Sequence, residues 1–164
     1  MLPGRPVLLN VGVVLCLGTL SSTYACSPEE VQVESPALDD ADASMCRKLL
    51  DALPQTVSGQ TRRDLETENG YAAAWGDPAI VLRCGVGVPE GFDEFSACQV
   101  TNGVGWFIPE DQITGEATEI WMTTVDRTPA VEVRLPPEYF PPAATMVDLA
   151  PAITQSIQQD DPCL

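Results

Sequence analysis

The sequence predicts an α+β fold, an antiparallel sheet of short strands with two helices packed on one face. Three observations predict it. Asn102-Gly103 separates two apolar runs, the strongest local signal for a β-hairpin, because both turn positions need positive φ. Val131, Val133 and Leu135 alternate with Glu132 and Arg134, as in a strand with one buried and one wet face. Helical apolar stripes bracket these strands near the start and the end of the chain.

Taken in order, residues 44–53 read as the first helix. Ser44 can cap it, and Cys46, Leu49, Leu50 and Leu53 fall at i, i+3, i+4 and i+7. Pro54 stops it. Residues 61–65 and 71–75 are short strand candidates, and Gly76-Asp77-Pro78 makes a turn. Residues 79–86 form the most continuous apolar run, broken only by Arg83, and read as a central strand. Residues 89–95 are a loop. Residues 97–101 and 104–108 form the Asn-Gly hairpin, and 118–125 with 130–135 form a second one. The two Pro-Pro pairs at 136–137 and 141–142 make a stiff connector. Residues 148–158 read as the second helix, with Asp148 as cap, Pro151 in the first turn, and Leu149, Ile153 and Ile157 on one face.

Ahead of this domain, residues 1–25 have the pattern of a signal peptide. Arg5 supplies the positive start and residues 7–20 the apolar stretch, which is short for a membrane span. Thr23 and Ala25 fit cleavage after Ala25. Cys26 then stands where bacterial lipoproteins carry their lipidated cysteine. Thr23 replaces the usual leucine three residues earlier, and bulky Tyr24 lies between. Lipidation of Cys26 would tether the protein to a membrane. Residues 26–43 read as a flexible acidic linker and 44–164 as one α+β domain. The Asp39-Asp40-Ala41-Asp42 cluster is not an EF-hand, because Ser44 and Leu50 stand where that loop needs Gly and Glu.

Composition narrows the partners. The chain has 24 acidic residues, 8 basic residues and no histidine, for a net charge of −16. Loss of Arg5 with the leader makes the mature chain more negative by one unit. Such a surface repels phosphate backbones, which excludes nucleic acid as a natural partner.

After cleavage the cysteines are Cys26, Cys46, Cys84, Cys98 and Cys163. Lipidation of Cys26 leaves an even set, which in an exported protein reads as two disulfides. Three pairings exist. The favoured one joins Cys84 to Cys98 around a short Gly- and Pro-containing loop, and Cys46 to Cys163 between the first helix and the tail. A metal site is disfavoured, since there is neither a Cys-x-x-Cys nor a histidine.

The catalytic inventory is thin. Without histidine there is no Ser-His or Cys-His pair. There is no phosphate-binding Gly-rich loop followed by lysine, and no Gly-x-Ser-x-Gly elbow. No cofactor is expected. Trp75, Asp77, Arg83 and Arg127 are the binding candidates. Each also has a structural reading: Asp77 in a capped turn, Arg83 in an internal ion pair, Arg127 serving its hairpin turn. Trp75, Trp106 and Trp121 read as core residues.

At Trp75-Gly76-Asp77-Pro78, Arg83-Cys84-Gly85-Val86, Asn102-Gly103-Val104, residues 127–133 (Arg-Thr-Pro-Ala-Val-Glu-Val) and Val147-Asp148-Leu149-Ala150-Pro151, the chain resembles the actinobacterial domain-of-unknown-function 3515 family. The resemblance runs from Cys46 to Cys163. It implies an exported or lipoprotein-like protein of the cell envelope and supplies no reaction, substrate or catalytic residue. The expectation is therefore a non-catalytic binding or scaffold domain, secreted or tethered at the extracytoplasmic face, whose partner is an envelope component. The alternative is a carboxylate-dependent hydrolase acting on envelope polymers.

Overall fold

The computed structural model describes residues 32–33, 36–67, 70–114 and 116–160. The expected leader, Cys26 and Cys163 lie outside them. The described chain is α+β. Strands β1 (Gln32–Val33) and β4 (Glu66–Thr67) form a small parallel pair. The main sheet is antiparallel and contains β2 (Thr56–Val57), β3 (Gln60–Arg63), β5 (Ala72–Trp75), β6 (Ile80–Val86), β7 (Gln99–Thr101), β8 (Val104–Phe107), β9 (Ile120–Thr124) and β10 (Ala130–Leu135). Its spatial order is β2-β3-β5-β6-β10-β9-β8-β7, so β6, the most apolar run, is central.

Alternation along each strand sorts the sheet into two faces. Ile80, Leu82 and Cys84 of β6, Val131, Val133 and Leu135 of β10, and Ile120 and Met122 of β9 join one buried core. Helices α1 (Asp40–Ala52) and α3 (Ala143–Ser156) cover that face, contributing Cys46 and Leu49 from the first, and Leu149 and Ile153 from the second. On the face away from α1 and α3, called helix-free below because only the four-residue helix at Glu110–Ile113 borders it, Val33 and Leu65 pack over Ala74, Ala79 and Val81, which hides only the β5–β6 end.

Both helices start earlier than the sequence reading placed them. The cap of α1 is Asp39, not Ser44, and its Oδ1 accepts the Asp42 N–H at 2.8 Å. Asp40 and Asp42, expected in the linker, fill the first turn, where carboxylates meet the positive end of the helix dipole. Helix α3 begins at Ala143 and carries Pro151 inside it, so Asp148 caps nothing. The pair Ala143-Ala144 has high helix propensity and extends the helix backwards. Pro151 sits on the exposed side, where the missing backbone donor is least costly. Asp148 Oδ2 instead accepts the Ser58 N–H at 2.8 Å, and Ser58 Oγ lies 2.6 Å from Thr145 Oγ1. These contacts fasten the β2–β3 turn, where Ser58 and Gly59 both have positive φ, to α3. The Asn102-Gly103 hairpin forms as expected, with φ of 49° and 81°.

The cysteine pairing also differs. Cys46 bonds Cys84, with Cα atoms 5.6 Å apart, which overrides both expected pairs, Cys84–Cys98 and Cys46–Cys163. Cys46 lies on the buried stripe of α1 and Cys84 on the helix-facing side of β6, so packing brings them together. Cys98 is disulfide-bonded as well. Among the described residues no helix is long and apolar enough to cross a membrane.

Candidate functional site

The four candidates from the sequence do not converge. Trp75 is fully buried, its Nε1 donating to the Pro54 carbonyl at 3.0 Å with the Arg62 guanidinium 5.7 Å from its ring centre. Asp77 is exposed in the β5–β6 turn, 3.9 Å from Arg63 Nη1. Arg127 lies at the opposite end of the sheet, in the β9–β10 turn. Its side chain and that of Asp126 are each 1% exposed and form a two-contact ion pair of 2.9 and 3.0 Å. Arg127 also donates to the carbonyls of Ile157 and Gly103, and Gln159 donates to Asp126. A cleft of about 350 Å³ adjoins this pair, but Asp126 and Arg127, two of the charged residues lining it, are consumed by internal bonds. Arg127 therefore ties the C-terminal end of α3 to the sheet.

Arg83 leads to the more open site. Register places Arg83, Glu132, Thr123 and Phe107 in one row across β6, β10, β9 and β8, on the helix-free face. Arg83 Nε donates to Glu132 Oε1 at 2.9 Å and Nη2 donates to the same oxygen. The guanidinium carbon is 5.9 Å from the centre of the Trp121 ring, within range of a cation–π contact. Trp121 is in turn held in place. Its backbone N–H donates to Gln112 of the short helix α2 (Glu110–Ile113) at 2.7 Å, and its Nε1 donates to Glu119 at 3.1 Å. Arg134 Nη1 stands 3.8 Å from the other oxygen of Glu119.

Between these groups lies a cleft of about 420 Å³. Phe107, Thr123 and Glu132 belong to its sheet side, Trp121 and Gln112 line it as well, and Pro89 and Glu90 reach it from the 87–98 loop. Phe92 of that loop packs edge-on to Phe107, ring centres 5.3 Å apart, which anchors the loop beside the cleft. An aromatic wall with a few fixed polar groups is the usual make-up of a small-ligand site.

Sequence reasoning missed Trp121, Thr123 and Glu132 as a group. Trp121 was expected in the core, yet it is 37% exposed on the helix-free face. The alternation Ile120-Trp121-Met122-Thr123 carried the signal, since it sets Trp121 and Thr123 opposite two core residues. Among the described residues no cluster of three or more His, Cys, Asp or Glu side chains is placed to hold a metal ion.

Two comparisons found no similarity: neither a curated protein nor a solved structure matches the chain. A family model described as "Protein of unknown function (DUF3515)" matches residues 5–162.

Proposed function

The chain belongs to the DUF3515 family, and from that premise we propose that it is an exported, non-catalytic binding domain of the cell envelope whose ligand sits in the helix-free cleft. The observation that carries the reading is the exposed, hydrogen-bonded Trp121 beside the Arg83–Glu132 pair. A tryptophan locked from both its backbone and its indole is preorganised to receive a ligand. The apolar leader and the Cys46–Cys84 disulfide support maturation in an oxidising compartment. Cys26 is the proposed lipid-bearing residue, so that the domain is tethered at the extracytoplasmic face or, without the lipid, secreted.

One observation favours a hydrolase as the second reading: Glu90 and Glu132 share the cleft. A glycosidase-like pair needs one carboxyl kept protonated by burial and one ionised. Glu90 is exposed on the rim, and Glu132 is bound to Arg83. The arrangement supplies no buried proton donor, so binding is the better reading.

The test is capture from envelope extracts with the oxidised protein, comparing wild type with Trp121→Ala. The binding reading expects a defined component that the variant fails to retain and that emerges chemically unchanged. Equal retention by both proteins contradicts the site. Cleavage of the component, abolished by Glu132→Gln, replaces binding with hydrolysis. Mass spectrometry of the native N-terminus decides the tether, with a diacylglyceryl mass on Cys26 expected.

A further inference from the structure

We propose that the helix-free cleft takes an alkylammonium group, an inference that rests on reading this cleft as the ligand site. The charged residues lining the cleft are both carboxylates, Glu90 and Glu132. Glu132 gives Oε1 to Arg83, and no described residue donates to its Oε2. Glu90 adds a second carboxylate on the rim, while Gln112, whose carbonyl oxygen accepts from the Trp121 N–H, contributes amide donors. No cationic side chain lines the cleft among the described residues. An anionic ligand would meet two carboxylates in the lining, and the nearest cation, Arg83, is already engaged by Glu132.

Thr123 gives an independent indication of a ligand. It is 2% exposed and lines the cleft, yet its hydroxyl makes no hydrogen bond among the described residues. The hydroxyl is not sealed off like Trp106 Nε1 and Ser156 Oγ, the buried polar atoms without a partner among the described residues, so it is reachable from the cleft and open to a docked donor. An ammonium group has three donors and no acceptor. It matches Glu132 Oε2 and Thr123 Oγ1 together, while its alkyl stem lies along Trp121 and Phe107. The Trp121 ring adds attraction for a cation. The net charge of −16 raises the local concentration of cations around the whole molecule.

The test is titration of the oxidised, ¹⁵N-labelled protein, following the Trp121 indole N–H, which is identified by its loss in Trp121→Phe. The probes are n-butylammonium, a capped Gly-Lys-Gly peptide and a capped Gly-norleucine-Gly peptide, all at constant ionic strength. Saturable shifts are expected with butylammonium, and binding at least about tenfold weaker with the norleucine peptide, which lacks the charge. Binding of the lysine peptide as well assigns the ammonium to a basic side chain. Binding of butylammonium alone assigns it to a small free amine. Glu132→Gln is expected to weaken binding by about tenfold. Because that change also disturbs Arg83, Glu90→Gln on the exposed rim is the second variant, with about a threefold loss expected. Equal binding of norleucine and lysine peptides overturns the ammonium assignment but leaves the cleft as a binding site. A Trp121 signal unmoved by either amine also overturns the assignment. The fate of the cleft itself then rests on capture by wild type against Trp121→Ala.

Discussion

Arg127 shows how one side chain can look functional in sequence and be structural in the fold. It lies beside a cavity and is charged, but its guanidinium donates two bonds to Asp126 and one to each of two carbonyls. Arg127→Ala leaves Asp126 buried with its main counter-charge gone, which is expected to cost about 3–5 kcal/mol, read as a lower urea midpoint. Trp121→Ala is the contrasting case. Trp121 is part-exposed and outside the main core, so the same measurement should move by less than about 1 kcal/mol while ligand capture is lost. Tyr139 belongs to this scale too. Partial burial, then the charges of Glu138 and Asp77, push its phenol pKa above the ordinary 10.0. Its hydroxyl also donates to the Pro78 carbonyl at 2.9 Å. A raised folded-state pKa means that the associated stability is fully present below pH 10 and is lost as pH rises through the Tyr139 titration. Ultraviolet titration should show one late-ionising tyrosine, absent in Tyr139→Phe.

At the scale of elements, the strands were more legible than the helix ends. The Asn102-Gly103 turn and the 130–135 alternation follow from backbone sterics and burial, which act locally, and both appear as expected. Helix starts depend on competition between caps. Ser44 was a fair cap by residue type, but Asp39 offered a stronger one with two acids behind it. The Ser58-Gly59 turn was not singled out, although Ser-Gly is a turn signal, because strands of two residues leave almost no periodicity to detect. The disulfide was misread for a related reason. Loop length favoured nearby cysteines, whereas the phase of each cysteine in its apolar pattern favours Cys46 with Cys84. Non-reducing peptide mapping should therefore recover one linked species containing both. Replacing the pair by alanine should lower stability by about 4 kcal/mol, the chain-entropy value for a closed loop of this length, given their separation of 38 residues.

Over the whole molecule, the two faces of the sheet divide the labour. One face is closed by α1, α3 and a disulfide, and it carries the large buried side chains. The other is only partly covered, by the 32–33 segment at one end and the 87–98 loop at the other, with the Trp121 cleft between. The cleft was only partly legible in sequence. Arg83 was singled out as an ion-pair candidate, but its partner lies 49 residues away and is set by strand register. Register between distant strands is a tertiary property that no local window contains.

Amide hydrogen exchange of the oxidised protein, with and without the component captured from envelope extracts, tests the account most directly. Added protection confined to β9, β10 and the 87–98 loop, and lost in Trp121→Ala, is the expected result. Protection centred on the outward sides of α1 and α3, with β9 and β10 unchanged, would contradict it.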